Sequence, residues 1–353
     1  MAEAQSLVRG RCAARPAERG PFGLVRKLIV LAMLAVSACA TPKVQEPLSM
    51  TQTVTPELKV EENKFVSFDG AELGLTYWPG QEAGEAAGHV VVGLHGMNDY
   101  ANAFHMAAPY WASKGVTVYA YDQRGFGRSP ERGIWPDEDL MREDLRTAVD
   151  LARQRHPDAK ITVVGISMGA SVAMSAFGSD LPPAADQFIA SGPGLRGWGA
   201  MNLTYRTSLW LSAHVRPGWI VQPPRRFVRI EPSDNIEMLQ RTWSDPLMMP
   251  TNRIDQVYGL VSLMERAHER APNLPASLPT LMSYGANDYV VPAKGVERTA
   301  KVLPSHVRTV YYEKGFHMLL RDLQAQTVHD DYLAFMLDPA GELPSKAAEW
   351  PFR

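Results

Sequence analysis

The sequence predicts an α/β fold, a mostly parallel central sheet flanked by helices, with a helical cap inserted late in the chain. Three observations carry this. Short apolar runs at 89–94, 117–121, 161–166, 187–190, 280–284 and 308–312 are separated by helix-compatible stretches, the alternation of a parallel sheet with crossover helices. The run Ile161-Thr162-Val163-Val164 passes through Gly165-Ile166-Ser167-Met168-Gly169 into small residues, a strand, a tight turn and a helix in succession. From about Leu195 to Ser277 the alternation stops, and Trp198, Trp210, Trp219 and Trp243 gather with methionines and Pro217, Pro223 and Pro224.

Length and composition bound the answer. At 353 residues the chain is long enough for one large domain with an insertion, or for two small domains. Apolar residues make up 45% and charged ones 21%, the balance of a globular protein. The formal charge of −2, with no basic stripe interleaved with aromatics, argues against a nucleic-acid partner.

The first residues differ from the rest. Arg9, Arg11, Arg15, Arg19, Arg26 and Lys27 precede the apolar run Leu28 to Val36, which ends in Ser37-Ala38-Cys39. A basic segment, a short apolar segment and small residues describe an export signal, and the apolar run is far below the ~20 residues a membrane span needs. The ending resembles a bacterial lipoprotein signal, which implies cleavage after residue 38 and lipid attachment at Cys39. Ala40, where an aspartate is absent, implies an outer-membrane destination at the periplasmic face of the cell envelope. Cleavage removes six basic and two acidic residues, so the net charge moves from −2 to −6. It also removes Cys12 and leaves one cysteine, which excludes an intramolecular disulfide.

Taken in order, residues 39–62 read as a polar, proline-bearing tether. Asp69-Gly70 between the runs 65–68 and 72–77 signals a hairpin at an antiparallel sheet edge. His89 to Leu94 is a buried parallel strand that stops at His95-Gly96-Met97. Helices are expected at 103–114 and at 137–154. The second has an apolar face of Leu140, Leu145, Ala148, Val149 and Ala152. Further helices are expected at 293–302 and 323–337. The expected division is a signal at 1–38, a tether at 39–62, a core at 63–194 and 278–338, a cap at 195–277 and a loose tail at 339–353.

The chemistry-bearing residues fall at the ends of strands. In a G-x-S-x-G turn the serine sits on a strained corner, and flanking glycines let strand and helix approach. The following helix N-terminus offers unpaired N–H groups and partial positive charge. Ser167 is therefore the expected nucleophile, and the Met168 N–H the first oxyanion donor. The loop after the third strand should bring the second donor, the Met97 N–H, with His95 bracing it. Asp288, just past strand 280–284, is the expected acid, with Asp234 and Asp245 as replacements. His317, beyond the last strand, is the expected base. The acid and arginines of Asp122-Gln123-Arg124-Gly125-Phe126-Gly127-Arg128-Ser129 are read as loop braces. No metal-ligand spacing and no phosphate-cradling glycine loop stand out.

The chain order Ser167, Asp288, His317 is that of α/β-hydrolases. The sequence resembles those of the monoacylglycerol lipase and lysophospholipase type, grouped with serine aminopeptidase-like hydrolases. The resemblance spans roughly 63–338. It rests on His95-Gly96, Asp122 to Ser129, Gly165 to Gly169, Ser233-Asp234, Asp245-Pro246-Leu247, Gly285-Ala286-Asn287-Asp288 and His317. It implies a cofactor-independent serine hydrolase that cleaves a carboxylic ester of monoacylglycerol or lysophospholipid, beneath a cap that shapes the acyl site. Thioester, amide or peptide hydrolysis by the same triad, or a non-catalytic envelope lipoprotein, are the alternatives. Two positions depart from those lipases. Met97-Asn98-Asp99 stands where they continue the His-Gly loop with Gly-Glu-His, and Gly169-Ala170 stands where they carry Gly-Gly.

Overall fold

The computed structural model describes residues 40–48, 54–221 and 231–352. The expected signal and Cys39 lie outside the described residues.

In chain order, a two-residue strand β1 (Val44–Gln45) precedes β2 (Glu57–Lys59), β3 (Lys64–Val66) and β4 (Glu72–Trp78). Then come β5 (His89–Leu94), α1 (Ala107–Ser113), β6 (Thr117–Tyr121), β7 (Trp135–Pro136), α2 (Glu138–Arg155), β8 (Lys160–Ile166), α3 (Met168–Phe177) and β9 (Gln187–Ser191). The stretch that follows holds α4 (Leu203–Val215), β10 (Ile220–Val221), α5 (Ile236–Ser244), β11 (Asn252–Arg253) and α6 (Ile254–Arg270). The chain closes with β12 (Thr280–Gly285), α7 (Ala293–Ala300), β13 (Arg308–Tyr312) and α8 (Ala325–Leu337).

The main sheet runs β13-β12-β9-β8-β5-β6-β4-β3-β2. From β13 to β6 every pairing is parallel, whereas β4, β3 and β2 pair antiparallel at one edge. The central strands are buried on both faces: Val90, Val91, Val92, Leu94, Ile161, Val163 and Val164 are each at most 1% exposed. Burial on that scale contributes about 1.5–3 kcal/mol per side chain. The Asp69-Gly70 hairpin forms as expected, with Val66 opposite Glu72 and Gly70 at φ +83°.

The sheet order changes direction at β5. The chain first adds β6 on one side of β5, then returns to add β8 on the other. Folds of this kind bind ligands outside the carboxyl ends of the strands at such a point, here β5 and β8. The segments leaving those ends are His95-Gly96-Met97 and Ser167-Met168.

Three expectations change. The helix expected at 103–114 begins at Ala107, after a 3₁₀ turn at Ala101–Phe104. Pro109 fixes this start, since a residue without an N–H is tolerated in the first helical turn and not further in. The tether is docked where it is described. Gln45 is buried and donates to the Ile134 carbonyl at 2.8 Å, the Lys43 N–H reaches Asp255, and the Leu48 N–H reaches Asp69. Nor is the tail loose. Trp350 is 3% exposed and donates through its indole N–H to the Val310 carbonyl, and the Tyr311 N–H bonds the Ala348 carbonyl at 2.7 Å. The tail thus covers the β13 edge, which would otherwise present unpaired backbone.

The stretch 195–277 is not uniform. α4 and α5 are largely exposed, with Leu203, Trp210, Leu211 and Trp243 at 50% or more. α6 belongs to both layers. Its residues Val261 and Met264 pack with Leu209 of α4, while Leu263 and Ala267 join the main core.

Candidate active site

The turn between β8 and α3 places Ser167 at φ +51° and ψ −111°, a backbone region that L-residues avoid. The flanking glycines are required by contact. A Cβ at Gly165 would lie 2.6 Å from the Ala170 backbone N, and one at Gly169 would lie 2.4 Å from the Leu94 carbonyl oxygen. The corner is held on the other side by β9 and its loop. The Ser167 N–H bonds the Ser191 carbonyl at 3.0 Å, and the Gly194 N–H bonds the Ser167 carbonyl at 3.1 Å.

Three side chains distant in sequence meet here. His317 Nε2 is 2.9 Å from Ser167 Oγ, and His317 Nδ1 is 2.7 Å from Asp288 Oδ2. The other carboxylate oxygen of Asp288 accepts the Val290 and Val291 N–H groups at 2.9 and 2.8 Å, so the carboxylate is fixed from both sides. His317 and Asp288 are buried, at 7% and 6% exposure, while Ser167 is half-buried and reachable. Gly192 packs on His317: a Cβ there would lie 2.9 Å from the His317 carbonyl oxygen.

Gly96 lies beside the serine, its Cβ position 3.3 Å from Ser167 Cβ. The Met97 N–H makes no hydrogen bond among the described residues, and Met168, the first residue of α3, has no intrahelical acceptor. His95 braces this loop as expected. Its Nδ1–H donates to the Gly96 carbonyl at 2.7 Å and its Nε2 accepts from the Gln123 N–H at 2.8 Å. Full burial lowers its pKa, so the ring is neutral, consistent with one donated and one accepted bond.

The acids weighed against Asp288 are engaged elsewhere. Asp245 accepts from the Tyr100 hydroxyl at 2.6 Å and Asp234 from the Leu323 N–H at 2.9 Å. Asp122 accepts from the Ala101 N–H and from the backbone and guanidinium of Arg128, which is bracing rather than chemistry. Arg124 lies buried between Asp69 and Asp144. Burial pushes the Asp69 carboxyl up, but Arg124 together with the Leu48 and Ala71 N–H groups outweighs this and holds it below the usual range.

Residues 85–324 match the serine aminopeptidase (S33) hydrolase family. The chain belongs to that family. It is 26% identical over 254 residues to the monoacylglycerol lipase of Mycolicibacterium smegmatis, covering 70% of this chain and 88% of that one. It is 24% identical over 269 residues to the monoglyceride lipase of Rattus norvegicus, covering 74% of this chain and 85% of that one. Among solved structures it is similar to Paleococcus ferrophilus monoacylglycerol lipase (TM-score 0.62, 21% identity, 76% of this chain and 100% of that one). It is similar also to a soluble variant of the Saccharomyces cerevisiae monoglyceride lipase held with a substrate analog (TM-score 0.63, 20% identity, 84% and 100%). The two solved structures share its fold.

Sequence reading missed the polar residues around His317. Ser233 and Asp322 are buried and bonded to each other, and Asp99 pairs with Arg321. Ser233-Asp234 carried a signal through the family resemblance, whereas Asp322 sits in a turn with no motif of its own.

Proposed function

We propose that this S33-family chain is a serine hydrolase of carboxylic esters, acting on monoacylglycerol or lysophospholipid through Ser167, His317 and Asp288. The observation that carries this is the continuous line from Ser167 Oγ through both nitrogens of His317 to Asp288. A serine hydroxyl is a weak nucleophile until a base takes its proton. His317 Nε2 accepts that proton as Oγ attacks the ester carbonyl, and Asp288 holds the Nδ1–H and stabilises the imidazolium. The tetrahedral oxyanion takes the Met97 and Met168 N–H groups. Its collapse breaks the ester C–O bond, and the alcohol leaves with the proton from His317. Water then attacks the acyl-enzyme by the same path and releases the fatty acid.

The lipid part of the reading is supported by the two lipases that align over most of this chain and by the apolar surface of α4 and α5. The groove of about 540 Å³ lined by Trp198, Leu203, Trp210 and Tyr258 contains none of the triad or oxyanion residues, so it is not assigned as the acyl site. The family's description as serine aminopeptidase favours a second reading, in which the same triad cleaves an amide.

The test is a panel of p-nitrophenyl esters of rising acyl length, monoacylglycerol, lysophosphatidylcholine and amino-acid anilides, on the chain from residue 41. Ester turnover peaking on long acyl groups is the expected outcome, and turnover confined to anilides would replace this reading by the second. Ser167→Ala should lower kcat by about four to six orders of magnitude. We propose further that the chain is anchored in the bacterial envelope through lipidated Cys39. Mass spectrometry of the mature N-terminus checks this, and an unmodified N-terminus elsewhere removes it.

A further inference from the structure

His317 stands on a loop rather than in a strand, so the sheet ladder does not fix it. Two bonds that flank it come from Asp322, five residues on, and from a segment some 85 residues upstream. The Gly315–Phe316 peptide, one residue ahead of His317, is held through the Phe316 N–H, which donates to Asp322 Oδ2 at 2.8 Å. The peptide after His317 is held through the Met318 N–H, which donates to the Pro232 carbonyl at 2.8 Å. Asp322 is in turn gripped by Ser233, whose hydroxyl donates to Oδ1 at 2.7 Å. Two more bonds join the same two segments. Asn235 Nδ2 reaches the Arg321 carbonyl at 3.0 Å, and the Leu323 N–H reaches Asp234 at 2.9 Å. Asn235 also caps α5, its side-chain oxygen accepting the Met238 N–H.

We infer that Ser233 and Asp322 are positioning residues that latch the segment entering α5 to the His317 turn and hold the imidazole in line with Ser167 and Asp288. The inference rests on the proposed role of His317. The bond between them is dry, Ser233 being 3% exposed and Asp322 1%. Such a carboxyl is costly to keep buried: burial, with Asp234 as a like charge nearby, pushes it up to about 7 in spite of its two bonds. The latch also gives the Ser233-Asp234 motif a role. The chain entering α5 is bonded to the turn bearing His317, so a shift in one is felt by the other.

Misplacing a base by an ångström costs up to about a hundredfold in rate. Ser233→Ala should therefore lower kcat on a p-nitrophenyl ester by roughly ten- to a hundredfold, leave KM within about twofold, and slow fluorophosphonate labelling of Ser167 by the same factor. Ser233→Thr, which keeps the hydroxyl, should restore most of both rates. A folded Ser233→Ala variant with unchanged kcat, or one affected in KM alone, would overturn the inference. Should that variant not fold, Asp322→Asn and Asp322→Ala read the same point. Asn keeps an acceptor for the Phe316 N–H and should retain much more kcat than Ala, whereas equal rates in the two variants reject the latch. A wild-type chain that the probe does not label sinks the nucleophile assignment and the latch together. A labelled wild type with an unmoved Ser233→Ala sinks the latch alone.

Discussion

At the scale of single residues, this site is made of groups that the protein holds against their own preferences. Ser167 occupies a positive φ that costs of order 1–3 kcal/mol, and the bonds from Ser191 and Gly194 hold it there. Asp322 gives a second case, with a consequence for pH. Its folded-state pKa of about 7 lies above the value near 4 of an unfolded aspartate. Between those values the folded chain keeps a proton that the unfolded chain has lost. Stability from this group is thus fully present below about pH 4 and is lost as pH rises to about 7. Asp322→Asn cannot ionise. Its melting temperature relative to wild type should be higher at pH 8 than at pH 5, and the same offset at both values would contradict this.

At the scale of elements, the two ends of the described chain fold onto the domain. The tail has the composition of a loop, but Leu343 and Trp350 are each at most 5% exposed, and Trp350 packs with Tyr284 and Phe352. Removing residues 339–353 should cost about 3 kcal/mol or more, from two large side chains returned to water. Urea unfolding of the truncated chain checks this, and an unchanged midpoint would mean that the tail adds nothing. At the other end, β1 pairs in parallel with β7, and Gln45 fills the space beside Gly125. Within α2 the sequence states its own ends. Asp137 caps the N-terminus, Glu138 and Asp139 occupy the first turn, and Arg153 and Arg155 the last, each charge matched to the helix dipole.

At the scale of the whole molecule, a buried ionic cluster ties three regions together. Arg124, after β6, bonds Asp69 of the hairpin turn and Asp144 of α2, and Ser67 completes the cluster on Asp144. Arg124→Ala would leave two carboxylates unpaired in the interior, and should destabilise the fold by about 3–5 kcal/mol. Thermal or urea unfolding measures it, and a loss below about 1 kcal/mol would show that the pair is not needed. The parallel strands, the hairpin, the serine corner and the order Ser167, Asp288, His317 could all be read from the sequence, because each is written in local periodicity, glycine spacing or chain order. The docking of residues 43–48 and 339–352, the double duty of α6 and the Ser233–Asp322 bond could not be read. Each depends on which surfaces meet after folding, and a serine or a tryptophan in a polar stretch has no period to announce a partner far away in the chain. What the sequence alone determined is the fold class and the strand ends at which the candidate residues stand, since backbone sterics and hydrophobic pattern act over a few residues. What the tertiary structure decided is the distances among Ser167, His317 and Asp288 and the bonds that maintain them, since these arise only where distant segments close on one another.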